Sequence, residues 1–349
     1  MKEEIEKYLT TQLEAAGGYR LTPDEEKKVA RDKADFVMNK LLRKKFRRRI
    51  SENTKKAIAE KVLSCVQNGR PIHLTIPFGG YKHFWNPSHP EPDWAEVFHF
   101  LWMTEYVSPI LAVHKPGVIL EYVSEDLILP LMNNYPEAAL EAYSAAFRKL
   151  IKWYSKYIPD NLQIDFWRVS DKYDKRAIID KVATLLPERL AAFAKLPAST
   201  QEQEIHRSVR SVLWDGKDDL TNLTVEQKHE RIIASRLIEL AYYDIEASPE
   251  FLGDYYWQDD LICVCFSFGL SSDNDEYGDL TLAASLGSIV DFWIGRGVLK
   301  QQNNELYGNI ISKQQYEDNK PNIKTFSVDT ELKEISKNYE NIEVLYRHE

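Results

Sequence analysis

The chain has 349 residues, 44% hydrophobic and 28% charged, so it has ordinary globular usage with enough apolar side chain for a sizeable core and is far from the signature of disorder. Its 54 acidic and 45 basic side chains leave a formal charge of −9, which argues against a whole-molecule field that attracts nucleic acid. Three cysteines give no disulfide framework, no cysteine–histidine or His-Glu-x-x-His spacing offers a metal site, and no run of roughly 18 apolar residues offers a membrane span. With an N-terminus that lacks an apolar signal core, the expectation is a cytoplasmic protein with one main domain and appendages.

Apolar spacing predicts helices over 2–15 and 23–69, separated by Gly17-Gly18. Inside the second lies Lys40 to Arg49, seven cationic residues in ten. It reads as a solvated helix face or as a docking surface for a protein partner. The short apolar run Ile72 to Phe78, between Asn68-Gly69 and Gly79-Gly80, is the first central strand, and His73 within it reads as a satisfied core histidine.

Asp93 caps a predicted helix from Trp94 to Val113, after which Val118 to Val123 forms a second strand ending at Ser124-Glu125-Asp126. Strand, helix, strand with a connection of this length points to parallel pairing. A helix over about 136–157 leads to a third strand, Leu162 to Val169. The stretch 174–247 is helical in pattern and broken near Pro197 and Gly216. Leu261 to Phe268 is read as the last buried strand, with Cys263 and Cys265 on one face. Leu280 to Ile294 reads as helix, and 298–349 as polar and β-rich. The fold class expected is thus α/β: a Rossmann-like, mainly parallel sheet flanked by helices, with a basic helical N-terminal region (1–54), a core (55–297) carrying the helical insertion 174–247, and a C-terminal extension (298–349).

In such sheets ligands bind beyond the carboxyl ends of the strands, where loops and helix N-termini converge. Two loops stand there. In Gly79-Gly80-Tyr81-Lys82-His83-Phe84-Trp85-Asn86-Pro87, paired glycines permit close backbone approach. Lys82 can meet a phosphate, carboxylate or carbonyl, and Tyr81, Trp85 and Asn86 can wall and orient a small substrate. The alternative is an ordinary surface turn. At Ser124-Glu125-Asp126, either carboxylate can act as a general base or hold an amine or sugar hydroxyl; an acidic helix cap is the competing reading.

Arg231 and Arg236, on a predicted helix over 225–247, are candidates for holding phosphate or for solvated ion pairs, and Arg207 and Arg210 carry the same two readings. The loop Ser271 to Asp279 is superficially similar to a calcium loop but lacks the mid-loop glycine and terminal glutamate.

The order of elements over roughly 55–270 resembles the isonitrile (isocyanide) synthase family of pyoverdine and dityrosine type biosynthesis. That family has a strand followed by Lys-Ser-Pro-Asn. Here Ile72 to Phe78 leads to Lys82 and Asn86, four apart instead of three, with His83-Phe84-Trp85 between them. The family's Ser-Asp-Gly-like second turn is matched by Ser124-Glu125-Asp126, with Asp126 in the glycine's place, and no His-Pro pair follows Phe266-Ser267.

The resemblance implies a lyase or transferase of secondary metabolism that joins the amine of an amino acid to ribulose 5-phosphate and fragments the adduct, with no metal and no cofactor for that step. It implies Lys82 at the sugar phosphate or its carbonyl, and Glu125 or Asp126 receiving the amine or moving protons. Arg231 and Arg236 follow as reserve phosphate ligands, and Tyr81 and Trp85 as lining of the side-chain pocket. A non-catalytic binding or scaffold protein on the same fold, or another α/β enzyme handling a sugar or nucleotide, is the competing reading.

Overall fold

A computed structural model describes the chain apart from residues 48–49, 134, 216–222, 247, 249–250, 252–254, 256–260, 267–279, 283–289 and 347–349. The calcium-like loop 271–279 lies outside the described residues.

Four helices precede the sheet: α1 (Lys2–Glu14), α2 (Pro23–Arg31), α3 (Lys33–Leu41) and α4 (Glu52–Gln67). The single helix expected over 23–69 is broken because Asp32 leaves helical geometry and caps α3, accepting from the Asp35 N–H, and because Ser51 caps α4. Described members of the basic segment between them are tied to neighbouring elements, while Lys44 and Lys45 stay exposed. Arg43 donates to the Tyr106 carbonyl, Lys40 pairs with Glu25, Lys45 pairs with Glu105, and Arg47 forms an isolated bridge to Leu282.

Next come β1 (Ile72–Phe78), α5 (Trp94–Leu111), β2 (Val118–Ser124), α6 (Ile128–Asn133), α7 (Glu137–Tyr154) and β3 (Leu162–Arg168). The helical stretch then divides into α8 (Val169–Lys172), α9 (Lys175–Ala194), α10 (Ala198–Asp215) and α11 (Val225–Glu246). Strands β4 (Leu261–Phe266) and β5 (Leu280–Leu282) complete a five-stranded sheet, order β3-β2-β1-β4-β5, whose pairs are all parallel. The helix expected over 280–294 therefore begins as a strand. Leu280 and Leu282 are buried beside β4, and that edge pairing overrides the local helical pattern.

The C-terminal part forms a mixed sheet, order β7-β6-β9-β8, from β6 (Arg296–Gln302), β7 (Glu305–Ile311), β8 (Ile323–Ser327) and β9 (Asn341–Tyr346), with α12 (Lys313–Asn319) after β7. Helix α5 packs between the two sheets. It is buried on almost every side, from Trp94 to Leu111 with Leu101 and Glu105 as the exceptions. Gly297 permits this: a Cβ there would meet the Ala95 nitrogen at 2.1 Å.

An aromatic cluster centred on Phe78, with Phe147, Phe166 and Phe292 at 5.1, 5.9 and 5.5 Å, locks the carboxyl end of β1. Each such ring buried contributes about 1.5–3 kcal/mol by area alone. No described helix is long and apolar enough to cross a membrane.

Candidate functional site

β1 ends at the point where the strand order reverses, between β2 on one side and β4 on the other, so its exit loop opens into the crevice that this topology reserves for ligands. Gly80 lies so close to α7 that a Cβ would stand 2.9 Å from the Tyr143 ring. The Tyr135 hydroxyl donates to the Gly80 carbonyl (2.6 Å) and accepts from the His83 N–H (3.0 Å), bending Tyr81–Phe84 into a single tight turn.

That turn points Lys82 inward, leaving it 1% exposed. Its Nζ donates to Asp93 Oδ1 (3.2 Å) and to the Gly295 carbonyl, and stands 3.3 Å from Glu96 Oε1. An ammonium has three donors, and all three face protein acceptors.

Asp93 and Glu96 are the cap and third residue of α5 in a capping box. Oδ1 of Asp93 also accepts from the N–H groups of Ala95 (2.7 Å) and Gly297 (3.2 Å), the capping box adds the Glu96 N–H to its carboxylate, and the residue lines the adjoining cavity. Glu96 is fully buried, its Oε2 accepting from the Asp93 N–H (2.8 Å) and its Oε1 from the Tyr143 hydroxyl (2.9 Å). Burial pushes its carboxyl up to about 8 despite the nearby lysine. Loss of water around the carboxylate is the main cause, and the neighbouring Asp93 charge adds to it while Lys82 opposes it.

The cavity beside this group has a volume of about 230 Å³ and is closed by the C-terminal sheet. Trp85 forms one wall, its Nε1 donating to the Ile294 carbonyl at 2.7 Å. The Arg296 guanidinium lies 5.6 Å from the Trp85 ring centre and 5.3 Å from that of Tyr316, and its Nε donates to Glu343. Asn338 donates to the carbonyls of His89 (3.1 Å) and Glu91 (2.9 Å), tying the 3-10 turn at Lys337–Tyr339 to the β1 exit loop, and Asn86 reaches Asn338 at 3.5 Å.

Of the residues singled out from sequence, Lys82, Trp85 and Asn86 thus line one cavity. The side chain of Tyr81 lies outside the described residues. Ser124 ends β2 and Glu125 and Asp126 follow it, but none of the three is in the described lining of this cavity. Ser124 is buried; Glu125 accepts from the Tyr242 hydroxyl of α11 (2.7 Å); Asp126 accepts from the Ser170 N–H (3.1 Å) and hydroxyl, with Arg168 at 3.7 Å. Burial raises the Asp126 carboxyl.

Arg236 is nearly buried between Glu204 and Glu239, each at 2.6 Å, a helix-to-helix ion pair joining α10 and α11. These carboxylates raise the guanidinium's already high pKa. Arg231 is half-buried on the same helix and outside the cavity's described lining. Asp93 was read from sequence as a cap alone, and Glu96, Arg296, Lys337 and Asn338 were not singled out. The local signal for Glu96 is a carboxylate in the first turn of an otherwise apolar helix.

A Rossmann-like parallel sheet, a second mixed sheet packed across α5, and a lysine–carboxylate cavity at their seam define the class to which this molecule belongs by shape. Among solved structures, the PvcA protein from Pseudomonas aeruginosa is similar with a TM-score of 0.60 at 13% identity, covering 89% of this chain and 99% of that one. At that identity the likeness is one of fold, and it extends past the core into the N-terminal helices or the C-terminal sheet, because residues 55–270 alone are well under 89% of the chain. No family model and no curated protein matches the sequence.

Proposed function

We propose that the chain is an isonitrile-synthase-like enzyme of secondary metabolism, a lyase or transferase that condenses an amino acid amine with a sugar phosphate such as ribulose 5-phosphate. The chain shares the fold of PvcA, and the order of its elements resembles the isonitrile synthase family. The observation that carries the reading is the Lys82–Asp93 pair, which lines a polar cavity at the switch point of the sheet.

Condensation requires that an ammonium lose a proton before its nitrogen attacks a carbonyl carbon. The Asp93 carboxylate, which lines the cavity and is positioned by Lys82, takes that proton. Trp85 offers a flat apolar wall for an aromatic side chain, and Asn86 orients polar groups at the entrance. Glu125, Asp126 and Arg236 serve the packing of α8, α10 and α11 in this reading, in place of the chemical roles that the family resemblance implies for them.

A second reading, a non-catalytic binding protein on the same fold, is favoured by one observation: each Lys82 donor already has an acceptor inside the protein. The two are separated by incubating the purified chain with ribulose 5-phosphate and aromatic amino acids and following the isonitrile stretch by infrared spectroscopy, with thermal unfolding recorded in parallel. The enzyme reading expects product from the wild type and none from Asp93→Asn. A ligand at about 100 times its dissociation constant adds roughly 2.7 kcal/mol of stability. A folded wild type with neither product nor stabilisation by any member of the panel overturns the enzyme reading.

A further inference from the structure

We infer that the cavity contains an oxyanion subsite, for a phosphate or carboxylate group, built by Arg296 and Lys337 of the C-terminal sheet region. It rests on the reading above only for which substrate brings the anion.

The protein carries a net charge of −9, yet three cations, Lys82, Arg296 and Lys337, face this cavity against two carboxylates, Asp93 and Glu343. Two of the three are not equally available. Lys82 is committed to Asp93, Glu96 and the Gly295 carbonyl, which leaves no donor for a ligand.

Arg296 is different. Only its Nε has a hydrogen-bond partner among the described residues, Glu343, and that carboxylate is shared with the Tyr316 hydroxyl at 2.8 Å. The two Nη groups have none and are not sealed in the protein, so the outer edge of the fork opens on the cavity that Arg296 lines. The aromatic rings of Trp85 and Tyr316 and the Glu343 contact fix the guanidinium plane before a ligand arrives, and a fixed planar fork matches the two oxygens of a carboxylate or phosphate. Lys337 is exposed at the rim, at the start of the turn that Asn338 ties down, and adds a mobile charge over the same mouth. The Asn341 side chain lines the same mouth with no described hydrogen bond of its own.

The test titrates the full-length chain with inorganic phosphate by calorimetry, comparing wild type with Arg296→Met, Arg296→Lys, Lys337→Ala and Arg231→Ala, each checked for folding by circular dichroism. Phosphate affinity is expected to fall at least tenfold in Arg296→Met, less in Arg296→Lys, which keeps charge but loses the fork, and a few-fold in Lys337→Ala. Arg231→Ala is expected to bind as wild type does. If Arg296→Met does not fold, Arg296→Lys and Lys337→Ala carry the comparison.

Two further pairs identify the source of the anion: ribulose 5-phosphate against ribulose, and an aromatic amino acid against its decarboxylated amine. The member whose affinity depends on Arg296 is the one whose anion occupies the subsite. Phosphate binding that is undetectable in wild type, or equal in wild type and the Arg296 and Lys337 variants, or lost on Arg231→Ala instead, overturns the inference. Phosphate binding that depends on Arg296 without any isonitrile product would sink the enzyme reading and leave the subsite standing. Product formation indifferent to Arg296 would do the reverse.

Discussion

Glu96 is the residue whose chemistry is furthest from its ordinary behaviour. Its carboxyl is raised from 4.5 to about 8 by burial, so between those values the folded chain holds a proton that the unfolded chain has released. Stability from this group is thus fully present below pH 4.5 and is lost as pH rises through about 8, with a slope of up to about 1.4 kcal/mol per pH unit across that window. Glu96→Gln keeps the shape of the neutral acid and does not titrate. Its unfolding free energy should match the wild type near pH 4, exceed it near pH 8.5, and show a flatter profile between. Parallel profiles for the two proteins would mean that Glu96 is ionised throughout, paired with Lys82.

Lys82, Trp85 and Asn86 were legible because they follow a recognisable strand within eight residues, and strand exits are where such folds bind ligands. Arg296 and Asn338 reach the same cavity from more than 200 residues away, and nothing local marks them. Asp93 and Glu96 were visible only as helix-capping chemistry, which accounts for both residues without any site. The structure also changes what a Lys82 substitution would report: removing it strands the Asp93 carboxylate in the interior, a loss of roughly 3–5 kcal/mol, where a surface loop lysine would cost little.

At the scale of elements, the seam between α5 and β6 decides whether the cavity exists. Gly297 brings the β6 backbone against the first turn of α5, and its N–H is one of the groups holding Asp93 Oδ1. Gly297→Ala would place a methyl 2.1 Å from the Ala95 nitrogen and 2.3 Å from the Trp94 carbonyl carbon, both backbone atoms that cannot swing aside. Forced separation of this kind costs about 1–3 kcal/mol or more. The variant should lose that much in denaturant unfolding and lose ligand binding in the cavity together; unchanged stability would show that the strand and helix do not pack as described.

The central strands were readable as apolar runs between glycines and acidic turns, and β1 to β3 are found where the periodicity predicts them, in parallel pairs. β5 was not, because three residues paired at a sheet edge leave no periodic pattern, and its hydrogen bonds go to a strand rather than to its own neighbours. The basic run at 40–49 reads from charge alone as a solvated face or a docking surface, and Lys44 and Lys45 are indeed exposed. Lys40, Arg43 and Lys45 also hold carbonyls and carboxylates of α2 and α5, a tertiary arrangement that charge pattern does not encode.

Across the whole molecule, stability is unevenly spread. One core joins Ile5 and Leu41 of the N-terminal helices, Phe78 and Tyr122 of the parallel sheet, and Ile310 and Val344 of the mixed sheet. A second, smaller core under α9 and α11 gathers Leu127, Trp167, Ile178, Val182 and Tyr242. The two helix types differ accordingly: 16 of the 18 residues of α5 are buried, against Ile178, Val182 and Phe193 among the 20 of α9. An amide in a helix opens locally when few apolar contacts must be broken with it, and only with global unfolding when many must. Native-state hydrogen exchange should therefore find the α5 amides exchanging through global unfolding, and the α9 amides at least tenfold faster through an opening that leaves both sheets intact. Because Tyr242 of α11 holds Glu125 and Glu204 of α10 holds Arg236, that opening should also release these two contacts while the Lys82 cavity, built on the first core, stays closed. Equal protection of α5 and α9 would mean that the helical stretch and the sheets form one cooperative unit, and the functional role of the second core would then have to be sought in the rigidity of the whole.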